Sequence, residues 1–251
     1  MYEKELNIAK EAALKAGNFL KRREGIHVDA AEGKDIKLSS DKRSEEIIIN
    51  ILKTTGIPIL SEECGQLGGD PDEFLWIIDP LDGTANYWKG VGELACVSVA
   101  LWRKNEPALG VVYRFEADEL YYGAVGEGAF LNGRPIKTSS VSHTGDAVLA
   151  TGFPVKGDYG TESLSAFVKQ AQDFKKVRML GAAAIMGAFV AAGKFDAYME
   201  DGIMLWDIAG ASAIVLAAGG KTDITMLGDY RCTCKCFSGA ALMEDYNAKS
   251  L

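Results

Sequence analysis

Histidine is scarce in this sequence, with two residues among 251. They are His27 and His143, and neither lies near a motif that could use it. A hydrolase with a Ser-His-Asp triad needs a histidine that hydrogen-bonds its nucleophile. The scarcity therefore disfavours that mechanism, and both histidines are more simply interpreted as ordinary surface residues.

An excess of positive charge is also absent, because 27 Lys and Arg residues face 35 Asp and Glu residues and the formal net charge is −8. Such a chain has no electrostatic reason to seek nucleic acid or an anionic membrane, so neither partner is expected. Binding a phosphate would require positive charge at the site, which bound cations would supply. The longest apolar run, Ala182 to Ala192, is too short to span a bilayer and predicts a buried helix.

The cysteines have no framework spacing. There are five of them, an odd number, which favours a reducing cytoplasm. The three at Cys232, Cys234 and Cys236 would share one side of a strand, and buried core thiols explain them better than a zinc site. Residues 2–24 have the pattern of a charged amphipathic helix rather than of a secretory signal. A cytoplasmic location is therefore expected.

The pattern of apolar residues changes near residue 140. Before that point it predicts helices over 2–24 and 41–52, separated by a polar loop or short hairpin. Strands of an antiparallel sheet are predicted at 57–60, 74–78, 94–102, 109–113 and 120–124. After it, strands at 148–151, 176–180, 195–199, 221–225 and 236–240 alternate with helices at 162–173, 182–192 and 206–218. We therefore predict two units, residues 1–140 with helices on an antiparallel sheet and residues 141–251 with layered α/β structure.

The most informative segment is Asp-Pro-Leu-Asp-Gly-Thr at residues 79–84. An apolar strand leads into Asp79, and Pro80, which has no amide hydrogen, is expected to break that strand. The turn that follows can aim two carboxylates and the Leu81 carbonyl into one small volume, and Mg²⁺ prefers such oxygen ligands. The last two residues offer backbone amides at a possible helix start, where a phosphate could bind.

Each acidic signal also has an ordinary explanation. Asp-x-x-Asp-Gly is common turn chemistry. Asp41 and Asp207 each open a predicted helix and are plausible helix caps. Glu62 and Glu63 follow a predicted strand and could form a solvated acidic turn. These explanations account for each group separately but not for their joint spacing.

The combination of motifs resembles the inositol monophosphatase family, whose superfamily holds lithium-sensitive phosphatases and fructose-1,6-bisphosphatases. The resemblance covers nearly the whole chain and is carried by Ser61-Glu62-Glu63, Trp76 to Tyr87, Gly126 to Gly133, Gly181 to Ala184, Leu205 to Gly210 and Ala217 to Gly220. It implies an α/β fold arranged as a five-layer αβαβα sandwich of the sugar-phosphatase type. It also implies a homodimer.

The resemblance further implies a site for two to three Mg²⁺ ions. Glu62, Asp79 and the Leu81 carbonyl would hold the first ion. Asp79, Asp82 and Asp207 would hold the second, with Asp79 bridging the two. Glu62 would also face a weaker third ion.

The remaining implied roles concern the water and the substrate. Thr84 and Asp41 would position and deprotonate the attacking water. Glu63 would assist these residues without contacting the water itself. The amides of Gly83 and Thr84 would bind the phosphate. Ala183 and Glu200 match positions that contact the substrate alcohol in the family.

The implied activity is a Mg²⁺-dependent phosphomonoesterase that acts through a metal-activated water. Inositol-1-phosphate is the default substrate, with inhibition by lithium. Fructose-1,6-bisphosphatase, histidinol-phosphatase and 3'-phosphoadenosine 5'-phosphate phosphatase activities are alternatives, because the motifs are shared among them. A non-enzymatic alternative is a regulatory binding protein of transcription complexes, since some bacterial relatives act there. The retained ligands favour catalysis, and the acidic charge offers no patch for RNA.

Overall fold

The computed structural model describes residues 2–24, 26, 28–32, 35–71, 73–153 and 159–249. Its α-helices are α1 (Glu3–Leu20), α2 (Ser39–Leu52), α3 (Thr84–Trp88), α4 (Thr161–Gln172), α5 (Ala183–Ala191), α6 (Leu205–Ala217) and α7 (Ala240–Lys249). Its strands are β1 (Val28–Glu32), β2 (Asp35–Leu38), β3 (Ile59–Ser61), β4 (Gly65–Leu67), β5 (Phe74–Asp82), β6 (Cys96–Arg103), β7 (Glu106–Arg114), β8 (Glu119–Ala124), β9 (Gly128–Leu131), β10 (Arg134–Ile136), β11 (Val148–Thr151), β12 (Lys176–Arg178), β13 (Ala197–Met204), β14 (Lys221–Gly228) and β15 (Arg231–Phe237).

In the described part of the chain, the first large sheet has eight strands in the order β10-β9-β8-β7-β6-β5-β3-β4, and only the β3–β5 pair is parallel. Helices α1 and α2 pack on one face of it. In β5, Trp76 and Ile78 face these helices, whereas Ile77 faces the opposite side. The strand is apolar on both faces because both faces are covered.

Helices α5 and α6 lie between this sheet and a five-stranded second sheet in the order β12-β11-β13-β15-β14. Both helices are apolar almost all round, as expected for helices that are buried on two sides. On the outer face of the second sheet, Leu242 and Tyr246 of α7 pack against Phe237. Gln170 of α4 donates a hydrogen bond to the Tyr246 hydroxyl. The predicted five-layer αβαβα sandwich is confirmed.

Several sequence-based predictions about local structure hold. Between the first two helices, β1 and β2 pair antiparallel as a short hairpin requires, while residues 25, 27, 33 and 34 lie outside the described residues. The three cysteines at positions 232, 234 and 236 are buried on one side of β15. Strands β3 to β10 lie before residue 140 and β11 to β15 after it, while the division into two units stays a prediction. No described helix is both long enough and apolar enough to cross a lipid bilayer.

Two predictions about strands are wrong. Strand β5 does not break at Pro80 but continues to Asp82, with a register irregularity between Asp79 and Asp82. A bulge tolerates proline, because the amide that proline lacks is not needed for the ladder there. The final strand ends at Phe237 rather than running over 236–240, and an unanticipated helix, α7, follows it.

Helix α7 is tied to the chain near residue 144 through Asp245. The Asp245 carboxylate accepts hydrogen bonds from the Thr144 amide and hydroxyl, both at 2.9 Å, and lies 3.1 Å from the Lys249 Nζ and 3.2 Å from the His143 Nδ1. These groups, with the Thr144 amide first, hold the pKa of Asp245 well below its usual range. A carboxyl group with a depressed pKa contributes stability above its unfolded pKa of about 4, and that stability is lost as the pH falls further.

We therefore expect Asp245→Asn to lower the melting temperature at pH 7. The gap to the unmodified chain should shrink as the pH falls below about 4, because the native carboxylate then loses its advantage. Thermal unfolding followed by circular dichroism between pH 7 and pH 2.5 measures this. Glu244→Gln, at the exposed neighbouring position, is the matched control. A gap that stays constant across this range would contradict the assignment.

Candidate metal centre

The parallel pair β3 and β5 brings two acidic segments to one edge of the first sheet. Ser61, the last residue of β3, pairs with Ile78 of the parallel strand β5, so Glu62 just beyond β3 and Asp79 at the start of the β5 bulge follow side by side. Asp79 is buried, with 2% of its surface exposed, and Glu62 is partly buried. The strand pairing therefore explains why residues 17 positions apart face the same small volume.

The bulge at the end of β5 is held by three hydrogen bonds. The Asp79 Oδ1 accepts the Leu81 amide at 3.0 Å, and the Thr84 hydroxyl donates to the Leu81 carbonyl at 3.0 Å. The Ser44 hydroxyl of α2 donates to the Pro80 carbonyl at 2.7 Å. The backbone of this turn is thus fixed from both its own side chains and the neighbouring helix.

Asp82 connects the bulge to the start of α5. Its Oδ1 accepts the Ala183 amide at 3.2 Å and its Oδ2 accepts the Ala184 amide at 2.8 Å. The Cys96 thiol lies 3.5 Å from the same Oδ2. The next residue, Gly83, has a φ of 85°, and a Cβ there would lie 2.6 Å from the Leu94 carbonyl oxygen. Only glycine can be accommodated at this position, where the backbone packs closely against Leu94 and against the residue before α5.

Asp41 and Asp207 are each the third residue of a helix, α2 and α6 respectively, and each caps the helix start with one carboxylate oxygen. The Asp41 Oδ2 accepts the Leu38 amide at 2.9 Å, and the Asp207 Oδ2 accepts the Met204 amide at 3.3 Å. The ordinary explanation of these residues as helix caps is therefore confirmed. It does not exclude a second role, because a carboxylate has a second oxygen.

The carboxylates of the two halves of the chain affect one another. Burial raises the pKa of Asp79, and the charges of Glu62, Asp82 and Asp207 raise it further. Burial also raises the pKa of Asp207, with added effects of Glu62, Asp82 and Glu200. Burial raises the pKa of Asp82 to about 6, although hydrogen bonds from α5 oppose this. No Lys or Arg among the described residues forms an ion pair with any of these three aspartates.

Glu200 lies at the side of this cluster. Burial raises its pKa to about 7, the Tyr198 hydroxyl opposes the rise, and the charges of Asp82 and Asp201 add to it. The Tyr198 hydroxyl donates to the Glu200 Oε2 at 3.0 Å. A Cβ at Gly152 would lie 2.6 Å from the same oxygen, so the backbone of Gly152 passes directly against this carboxylate.

The donor chemistry of the cluster fits a hard divalent cation. Its donors are carboxylate oxygens and one backbone carbonyl, several of them buried without a paired cation, and bound Mg²⁺ would relieve their repulsion. Within the described part of the chain, however, no group of three or more His, Cys, Asp or Glu side chains is close enough together to hold an ion as placed.

The structure thus brings together most of the candidate site residues predicted from the sequence: Glu62, Asp79, Leu81, Asp82, Gly83, Thr84, Ala183, Glu200 and Asp207. Glu63 is partly buried beside Glu62, and the pairing of Asp41 with Thr84 stays a prediction.

Sequence reasoning missed Ser44 and Glu45, which are buried at 0% and 7% exposure. A signal was available, because Glu45 lies four residues after Asp41 and so shares its helix face.

A five-layer αβαβα sandwich that gathers carboxylates from both halves of the chain matches the sugar-phosphatase type of fold that the sequence led us to expect. The chain belongs to the inositol monophosphatase family, whose model matches residues 1–233. It is 37% identical over 222 residues to "Nus factor SuhB" of Pasteurella multocida, covering 86% of this chain and 83% of the relative. It is 36% identical over 223 residues to "Inositol-1-monophosphatase" of Mesorhizobium japonicum, with the same coverage of 86% and 83%.

Solved structures agree with this placement. The inositol monophosphatase from Anabaena (Nostoc) superposes with a TM-score of 0.84 at 33% identity, covering 99% of this chain and 96% of that one. Family membership supports phosphatase activity, while the substrate is a separate question, since relatives under both names are similarly close.

Proposed function

We propose that this chain is a Mg²⁺-dependent phosphomonoesterase that hydrolyses a small phosphorylated alcohol, with inositol-1-phosphate as the first candidate. The observation that carries the proposal is the set of mutually repelling carboxylates contributed by β5, α6 and the segment after β3. Two to three ions would be held by Glu62, Asp79, the Leu81 carbonyl, Asp82 and Asp207.

A bound Mg²⁺ neutralises phosphate charge, lowers the pKa of a bound water and stabilises the leaving alkoxide. The protein's own contribution is positioning. The Thr84 hydroxyl donates to the Leu81 carbonyl, so its oxygen remains available to accept a hydrogen from the attacking water. Asp41 is the proposed base that takes the proton from this water, and Glu63 supports it. The amides of Gly83 and Thr84 orient the phosphate.

The alcohol side of the site is assigned to Ala183 and Glu200. Asp82 holds the start of α5, which fixes where Ala183 lies. The Tyr198 hydroxyl orients Glu200, whose carboxylate can accept hydrogen bonds from substrate hydroxyls. Because Gly152 lies against Glu200, a side chain at that position would displace this carboxylate.

A panel of phosphomonoesters tests the proposal. We expect Mg²⁺-dependent phosphate release from inositol-1-phosphate that exceeds release from fructose-1,6-bisphosphate, histidinol phosphate and 3'-phosphoadenosine 5'-phosphate. A different order would reassign the substrate but keep the reaction. Lithium should inhibit by competing for one metal position, and full insensitivity would argue against the inositol monophosphatase type of site. No release from any member would refute the proposal.

A regulatory role in a transcription complex is the second candidate, favoured by the name "Nus factor SuhB" of relatives such as that from Pasteurella multocida. The net charge of −8 makes a protein partner more suitable than RNA. Retention of RNA polymerase subunits or ribosomal factors by the immobilised chain would support this role.

The homodimer implied by the family resemblance is proposed as well, and light scattering of the purified chain measures it.

A further inference from the structure

We propose that Glu45 is a positioning residue that holds the Glu62–Glu63 segment in place for metal binding. This inference rests on the proposed function, because it concerns how firmly the chain binds Mg²⁺. Glu45 is not assigned to the metal or to the substrate. It lies in the second turn of α2, and only 7% of its surface is exposed.

The Glu45 carboxylate crosses from α2 to the segment that follows β3. Its Oε1 accepts a hydrogen bond from the Ser61 hydroxyl and a second one from the Cys64 amide at 3.1 Å. These two donors lie on either side of Glu62 and Glu63. One carboxylate oxygen therefore holds both ends of the segment that carries the two glutamates.

The same helix turn also reaches the other acidic segment. The Ser44 hydroxyl donates to the Pro80 carbonyl at 2.7 Å, between Asp79 and Asp82. Helix α2 thus contacts the segments after β3 and within β5 through two consecutive residues. Because a helix is stiff over this length, it sets the spacing between Glu62 and the two aspartates.

Burial of the Glu45 carboxylate is costly unless hydrogen bonds compensate for the lost water, and the Ser61 hydroxyl and the Cys64 amide supply them. No Lys or Arg in the described part of the chain forms an ion pair with it, and a buried charge without a counter-charge lowers stability. A carboxylate here restrains the acidic segment, which the repulsion among neighbouring carboxylates would otherwise push outward.

The test compares Glu45→Ala with Glu45→Gln. The alanine variant loses both hydrogen bonds, and we expect it to weaken Mn²⁺ binding, measured by titration calorimetry, by about 10-fold. The Mg²⁺ concentration for half-maximal activity should rise by a similar factor, with a smaller change in kcat at saturating Mg²⁺. The glutamine variant keeps an oxygen that can accept both bonds, so it should retain most of the affinity.

Controls separate this role from a purely structural one. Glu46→Ala, at the exposed next position of the same helix, should leave Mn²⁺ affinity unchanged. Ser61→Ala removes one donor while leaving the helix intact, so it gives the expected weakening even if Glu45→Ala does not fold. A fall in the melting temperature measured in EDTA, with unchanged Mn²⁺ affinity in these variants, would overturn the positioning role. Failure of the unmodified chain to bind Mn²⁺ would instead overturn the proposed function itself.

Discussion

Replacement of Asp82 by Asn is expected to reduce Mg²⁺-dependent phosphate release by at least about 100-fold, since a catalytic metal ion contributes several kcal/mol to the transition state. Asn removes a negative charge from the cluster that β5 shares with α6. It retains one oxygen that can accept an amide from the start of α5, where Asp82 now holds Ala183 and Ala184. The fold should therefore survive while the metal site is lost.

The matched control is Asp173→Asn, an exposed position at the end of α4. Its phosphate release should equal that of the unmodified chain. Far-ultraviolet circular dichroism and melting temperature establish that both variants are folded. Unchanged turnover in a folded Asp82 variant would remove the cluster from the mechanism.

Replacement of Gly110 by Ala is expected to destabilise the chain by about 1–3 kcal/mol and to reduce activity along with stability. A Cβ on Gly110 would lie 2.0 Å from the carbonyl oxygen of Gly210 in α6. Both partners are backbone, so no side chain can move aside. The helix must shift from the first sheet, and it carries Asp207 to the cluster.

Gly145→Ala is the control for this variant, because a Cβ there meets no atom within 4 Å. Urea unfolding of both variants gives the free energies of unfolding, and phosphate release gives the activities. If Gly110→Ala were as stable and active as Gly145→Ala, the close contact between β7 and α6 would not position Asp207.

The layered fold could be predicted because its signals are local and repeated. Apolar periodicity located most helices, and the run from Ala182 to Ala192 predicted the buried helix α5. The behaviour of Pro80 could not be predicted in this way. Whether a proline ends a strand depends on its neighbours, and here a bulge opposite Ser98 and Cys96 accommodates it.

The metal-ligand candidates were predictable for a different reason. Asp79, Asp82 and Asp207 occur in sequence motifs whose combination resembles one family. Glu45 carries no such motif, and its proposed role depends on contacts with Ser61 at the end of β3 and Cys64 in the segment after it. Contacts of this kind join distant parts of the chain, so a single sequence does not reveal them.

The most direct test of the account is phosphate release from inositol-1-phosphate by the unmodified chain after removal of divalent ions with EDTA. No phosphate release is expected until Mg²⁺ is added back, and a saturable recovery is expected after that. Release that persists without Mg²⁺, or no release at saturating Mg²⁺ from any phosphomonoester in the panel, would contradict a metal-dependent phosphatase assembled from both halves of the chain.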